Sequence, residues 1–339
     1  MPATPITRRH ALSGLAAGTA ALAAPAIARR AAAQTPRDVN YVTPFGNIIA
    51  YAPDYFASTA GLFERNGLRV RIVGGSGSAT AVQQVVAGQA LIARTGGIDA
   101  VKAVSTVGAP VRAIATIEHS STFHVVSLAS APIRSPADMQ GKTIGIVSAG
   151  GGTENYLDIM LTRANIPRDS VRRQVVGNSP GAFDMTQLGR LNGFITDLGV
   201  VVNLRQRNLP IHAFNVNEYS SVPGQIYIAS ERAVAENRAE LVGYIRAVQA
   251  AMREIIADTS GDATLRNLRP FNLQELNEPE IAKATVRAVS ELWRSGGDAN
   301  MLKIVPANWR QGWQEMVAAG LAQAGDPDRA FTTAISDAL

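Results

Sequence analysis

The segment from residue 142 to residue 161 constrains the fold most, because it has the pattern of a strand, a glycine-rich turn and the start of a helix. Residues 142–147 (KTIGIV) alternate and carry β-branched side chains, as a short buried strand does. Residues 148–153 (SAGGGT) are small, and residues 154–161 carry apolar side chains at helical spacing. This order predicts a βα unit, the building block of parallel sheets with helices on their faces.

The small residues of this turn favour binding of an anion. The first N–H groups of a helix have no partner within the helix and carry a partial positive charge, which suits a carboxylate, sulfonate or phosphate. Gly151 and Gly152 would leave these groups accessible, and Ser148 and Thr153 would add hydroxyl donors. The alternative is a tight turn whose glycines only permit close packing. The turn lacks the spacing of dinucleotide and P-loop motifs, so nucleotide binding is not expected.

The same alternation of strand, turn and helix recurs along the chain, which predicts an α/β architecture. Four strands come before residue 118 and a second series follows residue 141. β-rich crossings are expected near residues 122–130 and 224–230, and the pattern is helical from residue 231 onward. Two αβ units joined by two crossings predict two lobes around a hinged cleft. Ligands of such sheets bind at the carboxyl ends of the strands.

Several polar residues follow predicted strands and are therefore candidate ligand contacts. In the first lobe they are Asn47 and Tyr51 after the first strand, Ser76, Thr95 and Gly96 in two small-residue turns, and His119 after the fourth strand. In the second lobe they are Asn178 and Asp197, in addition to the turn at residues 148–153.

Each of these side chains also has a structural alternative. Tyr51 would serve equally in helix packing, and a lone histidine such as His119 is more often a structural hydrogen-bonding residue. Asp197 would accept a hydrogen bond from a ligand amine or hydroxyl, or cap the next helix. Arg94 would clamp an anion, or lie on the surface as an isolated charge, which is the favoured alternative. The tryptophans at 309 and 313 share one helix face and are expected in the core.

Composition excludes several kinds of chemistry. The chain has 339 residues, enough for two domains, and no cysteine, so it has no disulfide, thiolate nucleophile or cysteine metal site. The four histidines show no paired metal-ligand spacing, and no catalytic arrangement is evident. We therefore expect neither a cofactor nor a metal, and no enzymatic activity.

The first 33 residues resemble an export signal. The pair Arg8-Arg9 precedes a weakly apolar run, and residues 31–33 (AAA) offer a small-residue cleavage site. The segment resembles a twin-arginine signal, although Ala11 stands where such signals usually carry Phe; a Sec signal is the alternative. The segment holds four arginines and no acidic residue, so its removal lowers the net charge from +5 to +1. A nucleic-acid partner is not expected.

Several short motifs together resemble the periplasmic substrate-binding proteins of ABC importers, of the nitrate/sulfonate/taurine and thiamine-precursor type. Their order and spacing carry the resemblance, which spans about residues 40–235. The motifs are residues 57–68 (ASTAGLFERNGL), 74–77 (GGSG), 108–111 (GAPV), 135–138 (SPAD), 141–145 (GKTIG) and 151–154 (GGTE). Enzymatic relatives of this family, pyrimidine synthases, use a cysteine-rich iron site that a chain without cysteine cannot form.

The resemblance implies a type II periplasmic-binding-protein fold, with residues 34–128 and 231–339 in lobe 1 and residues 129–230 in lobe 2. It implies a monomer in the periplasm that captures a small organic solute by lobe closure and delivers it to a permease and an ATPase in the inner membrane. An anionic or heteroaromatic solute is expected, such as a sulfonate, a carboxylate or a pyrimidine precursor. The alternatives are a TRAP-type receptor and a sensor that presents its ligand to a receptor kinase.

Overall fold

Two five-stranded sheets organise the part of the chain that the computed structural model describes, residues 35–339; the expected export signal lies outside it. The strands, in chain order, are β1 (Arg37–Thr43), β2 (Leu68–Gly74), β3 (Ile92–Gly96), β4 (Val111–Glu118), β5 (Phe123–Leu128), β6 (Thr143–Ile146), β7 (Arg172–Val175), β8 (Gly193–Asp197), β9 (Ile211–Asn215) and β10 (Gln225–Ser230). The first sheet has the order β2-β1-β3-β10-β4 and the second has the order β7-β6-β8-β5-β9.

The two sheets have the same internal pattern. In the first sheet, β1 is parallel to β2 and β3, and β10 lies antiparallel between β3 and β4. In the second sheet, β6 is parallel to β7 and β8, and β5 lies antiparallel between β8 and β9. Each sheet therefore has four strands in one direction and one in the other, which confirms the predicted mostly parallel sheets.

The antiparallel strand of each sheet follows directly on a crossing from the other sheet. β5 follows β4 in sequence but belongs to the second sheet, and β10 follows β9 but belongs to the first. This membership differs from the boundaries expected from sequence, which end lobe 1 at residue 128 and lobe 2 at residue 230. A short β-branched segment has the same pattern in either sheet, so only its partners decide where it belongs. The chain passes between the sheets at residues 119–122 and 216–224.

Twelve α-helices in the described part cover the sheets. They are α1 (Ala52–Thr59), α2 (Leu62–Arg65), α3 (Ser78–Val86), α4 (Gly97–Val107), α5 (Gly152–Arg163), α6 (Gly181–Gln187), α7 (Leu198–Gln206), α8 (Glu231–Glu236), α9 (Arg238–Ala257), α10 (Asp262–Leu268), α11 (Pro279–Trp293) and α12 (Pro306–Ala318). None of these helices is long and apolar enough to cross a membrane.

The core is shared between the two sheets. One buried cluster packs β1 of the first sheet against α1, α9 and α11. A second cluster joins residues of the first sheet, such as Ile228, to residues of the second, such as Ile144, and it includes α12. Trp309 and Trp313 of α12 are 1% and 4% exposed, which confirms that they are core residues. We call the first sheet with its helices, including α8 to α11, the first lobe, and the second sheet with α5 to α7 the second lobe.

Candidate functional site

A cleft of about 700 Å³ lies between the two lobes at the carboxyl ends of their strands. The first lobe contributes the loop after β1, the segment at residues 274–278 and one face of α11. The second lobe contributes the turns after β7 and β8 and the adjoining face of α7, and Thr122 lies in the crossing between them. Residues of the lining used below are Asn47, Asn178, Asp197, Arg207, Glu275 and Glu278.

Three of the candidate contacts predicted from sequence line this cleft. The amide of Asn47 donates to the carbonyl of Phe271 at 2.9 Å, and its Oδ1 accepts from the Tyr55 hydroxyl. Asn178 Nδ2 donates to Asp197 Oδ2 at 2.6 Å. Asp197 also caps α7, because its Oδ1 accepts from Val200 N at 3.0 Å. That any of the three binds a solute remains a prediction.

The other candidates in the first lobe lie outside the cleft lining. Tyr51 is buried and its ring lies 5.0 Å from the Arg94 guanidinium carbon, so it packs inside the lobe. Thr95 is buried within β3. Ser76 is exposed in the turn before α3. His119 Nε2 lies 2.8 Å from the carbonyl oxygen of Asn300. This contact is the structural hydrogen bond that was one of the two alternatives for His119.

Gly97, the neighbour of Gly96, makes room for a crossing between the lobes, whereas a Cβ on Gly96 would lie 2.9 Å from Asp99 Oδ2. A Cβ on Gly97 would lie 2.2 Å from the Pro223 carbonyl oxygen. A Cβ on Gly224, in the same crossing, would lie 2.2 Å from the carbonyl oxygen of Ser120 in the other crossing. Gly97 N donates to the Gly224 carbonyl at 3.0 Å. Close backbone packing at the crossings therefore accounts for this small-residue turn.

The glycine turn before α5 uses its polar groups within the protein. Thr153 is 1% exposed, and its hydroxyl accepts from Val147 N at 3.0 Å. Gly150 N donates to the Glu154 carboxylate at 2.6 Å. A Cβ on Gly151 would lie 2.2 Å from Ser148 Oγ, and one on Gly152 would lie 3.2 Å from the Phe123 ring. These contacts give the turn a structural reason for its composition, and anion binding there remains a prediction.

The surface position favoured for Arg94 is wrong, because its side chain is fully buried. Its Nη2 donates to Glu118 Oε1 at 2.7 Å, and its Nη1 lies 3.9 Å from Asp54 Oδ2. Asp54 accepts further bonds from the hydroxyls of Tyr227 and Tyr244. Arg94 lies within β3, and its partners lie far away in the sequence, so no local pattern indicated them.

Sequence reasoning missed the acidic residues that the C-terminal helices bring to the cleft. Glu275 Oε1 accepts from Ile49 N at 3.0 Å, which ties the segment before α11 to the loop after β1. Glu278 accepts from Arg207 Nη2 at 2.8 and 2.9 Å, so an ion pair joins α11 of the first lobe to the end of α7. No local pattern marks either glutamate, because the 3₁₀ turn that carries Glu275 is joined to the β1 loop only by tertiary contacts.

Carboxylates from both lobes influence one another electrostatically. Burial raises the pKa of Glu118 to about 7 although Arg94 opposes this rise, and the charge of Asp197 contributes to it from the other lobe. Burial also raises the pKa of Glu275, again with a contribution from Asp197. Among residues 35–339, no group of three or more His, Asp or Glu side chains has the arrangement of a metal site.

Two mostly parallel sheets, each with an antiparallel strand from a crossing, define the periplasmic-binding-protein fold. Residues 49–260 match the family described as NMT1/THI5 like, and the chain belongs to that family. No curated protein matches the sequence.

Solved structures with the same fold cover nearly the whole chain. A protein from Bordetella bronchiseptica RB50 is 20% identical, with a TM-score of 0.68, over 90% of this chain and 97% of that one. The alkanesulfonate-binding protein SsuA from Xanthomonas axonopodis pv. citri, bound to MOPS, is 14% identical, with a TM-score of 0.64, over 89% and 98%. The desulfurization enzyme DszB is 12% identical, with a TM-score of 0.56, over 89% and 98%. At these identities the comparison concerns the fold.

Proposed function

We propose that this protein is the extracytoplasmic solute-binding component of an ABC importer and captures a small organic solute between its lobes. The observation that carries the proposal is the cleft of about 700 Å³, which is lined from both lobes at the carboxyl ends of their strands. Pockets for small molecules commonly have volumes of roughly 300–1,000 Å³. The sulfonate-binding proteins among the structural neighbours support the same role.

The connection between the lobes supports closure around a solute. Hinges are formed by a few residues in loops or at the ends of elements, and the two crossings between the sheets are such segments. Helix α12 supports one crossing, because Glu315 accepts from Ser221 N at 2.7 Å. At the rim, the Arg207–Glu278 pair is about half exposed, and such pairs contribute only about 0–1 kcal/mol. The rim contacts therefore break and form again at little cost in free energy.

A component of this kind works in the periplasm. It delivers its solute to a permease and an ATPase in the inner membrane, and a monomer is sufficient for that task. The proposal makes the protein a binding protein rather than an enzyme, although the enzyme DszB shares its fold.

Closure is measurable with fluorophores, because a chain without cysteine accepts labels only where cysteines are introduced. Glu64→Cys in α2 and Leu188→Cys after α6 place one label on each lobe. A control pair, Glu64→Cys and Glu236→Cys, places both labels on the first lobe. Probe solutes are alkanesulfonates, carboxylates, aminopyrimidines and alkylamines.

A solute that raises the melting temperature should shorten the distance between lobes and leave the control distance unchanged. A ligand at 100 times its Kd adds about 2.7 kcal/mol to the free energy of unfolding. If a bound solute leaves the distance between lobes unchanged, closure is overturned. If none of the four classes of probe binds, the solute-binding role is overturned.

A further inference from the structure

The lining of the cleft has an excess of negative charge. Among the described residues, Asp197 and Glu275 accept hydrogen bonds only from amides, namely Asn178 Nδ2, Val200 N and Ile49 N. Neither carboxylate forms an ion pair with a described residue. Among the described residues of the lining, Arg207 is the one basic side chain, and Glu278 already pairs with it. No described basic side chain therefore compensates either of these two negative charges.

Three helix N-termini that face this edge of the sheets already hold a carboxylate of the chain itself. Asp99 lies in the first turn of α4, Glu154 in the first turn of α5, and Asp197 is the N-cap of α7. A helix N-terminus is equivalent to about half a positive charge, so one full carboxylate more than offsets it. These carboxylates weaken the attraction of the three helix N-termini for an anionic solute, and at α7 the side chain of Asp197 also takes one of the free N–H groups.

A further carboxylate lies at the end of β4, where the first crossing begins. Glu118 is 1% exposed, and only its Oε1 is bonded to Arg94. Its Oε2 is buried and has no hydrogen-bond partner in residues 35–339. The pKa of Glu118 is raised by burial and also by Asp197, so these two carboxylates repel each other between the lobes. A positive charge bound between the lobes would relieve this repulsion.

We propose that the solute of this cleft carries a positively charged amine, such as an alkylammonium or a heteroaromatic compound with an aminomethyl group. This inference rests on the solute-binding function proposed above and names the class of solute. Asp197 from the second lobe and Glu275 from the first would contact the amine from opposite sides. The solute's charge then helps to draw the lobes together, because each lobe supplies one of the two carboxylates.

Matched pairs of probes test the charge of the solute while size and shape are held constant. The pairs are butylamine with butanesulfonate, benzylamine with benzoate, and 4-(aminomethyl)pyrimidine with pyrimidine-4-carboxylate. Binding is measured by calorimetry and by the shift in melting temperature at pH 8, at constant ionic strength. The variants are Asp197→Asn and Glu275→Gln, and Glu291→Gln on the exposed face of α11 is the control.

The ammonium member of at least one pair should bind at least about 10-fold more tightly than its anionic partner. Loss of a hydrogen bond to a charged group should weaken the binding of the amine by about 10-fold or more in each cleft variant and leave it unchanged in Glu291→Gln. Tighter binding of the anionic members, or amine binding that neither variant weakens, overturns this inference but not the solute-binding function. If neither member of any pair binds, the solute-binding function and this inference are both contradicted.

Discussion

Arg94 and Glu118 form a fully buried ion pair, with 2.7 Å between Nη2 and Oε1, at the cleft ends of the two strands that flank β10. Arg94 also donates to the carbonyl of Ala50 and lies near Asp54, so it joins the loop after β1 to both strands. The loop after β1, which lines the cleft, is therefore held in place by buried charged residues. This arrangement gives the first two predictions.

Replacing Arg94 should destabilise the protein strongly. Arg94→Met leaves Glu118 and Asp54 buried without their counter-ion, and breaking a buried pair in this way costs about 3–5 kcal/mol. Urea unfolding at pH 8 measures the change in the free energy of unfolding. Arg69→Met is the control, because its ion pair with Asp38 is exposed and should contribute at most about 1 kcal/mol. Equal effects of the two variants would show that the buried pair contributes little.

Glu118→Gln should change the dependence of stability on pH. Burial raises the pKa of Glu118 from 4.5 to about 7, so the native state binds more protons than the unfolded state between these values. This group therefore lowers the stability of the wild-type protein as pH rises through that window, and the penalty is complete above pH 7. The free energy of unfolding of the variant, relative to wild type, should rise by about 2–3 kcal/mol from pH 5 to pH 8. Parallel pH profiles would contradict the prediction.

Thr153→Ala should lower the melting temperature of the protein and leave its solute affinity unchanged. The Thr153 hydroxyl accepts from Val147 N, and its loss leaves a partly buried donor unpaired, at a cost of up to about 1–3 kcal/mol. Thr153→Ser keeps the hydroxyl and serves as the matched control. Thermal unfolding of the two variants is the measurement. Should the alanine variant melt with wild-type behaviour while its solute affinity falls, the hydroxyl serves the ligand as the sequence first indicated.

Gly97→Ala should disturb the crossing between the lobes. Its Cβ would lie 2.2 Å from the Pro223 carbonyl oxygen, so the backbone of the crossing must move, and overpacking of this kind costs about 1–3 kcal/mol. Gly46→Ala is the control, since a Cβ there would have no atom within 4 Å. Denaturant unfolding compares the two, and the distance between labelled lobes reports whether closure changes. If Gly97→Ala leaves the free energy of unfolding unchanged, the backbone of the crossing moves without cost and the prediction is contradicted.

The sequence by itself determined the local elements and their order. Hydrophobic alternation predicted β6, and the small residues after it predicted the turn into α5; both are where they were expected. The same patterns predicted that Asn178 and Asp197 each follow a strand, and parallel strands bring such residues to one edge. The predicted α/β fold with two mostly parallel sheets is confirmed. These features depend on residues a few positions apart, so a single sequence records them.

Only the tertiary structure decided which groups are partners. It placed β5 in the second sheet and β10 in the first, buried Arg94 between Glu118 and Asp54, and brought Glu275 to the loop after β1. The charge of the cleft follows from these contacts, because a carboxylate is compensated or left free according to neighbours that lie far away in the chain. Periodicity and turn residues record backbone conformation, whereas burial and charge pairing are properties of the packed molecule.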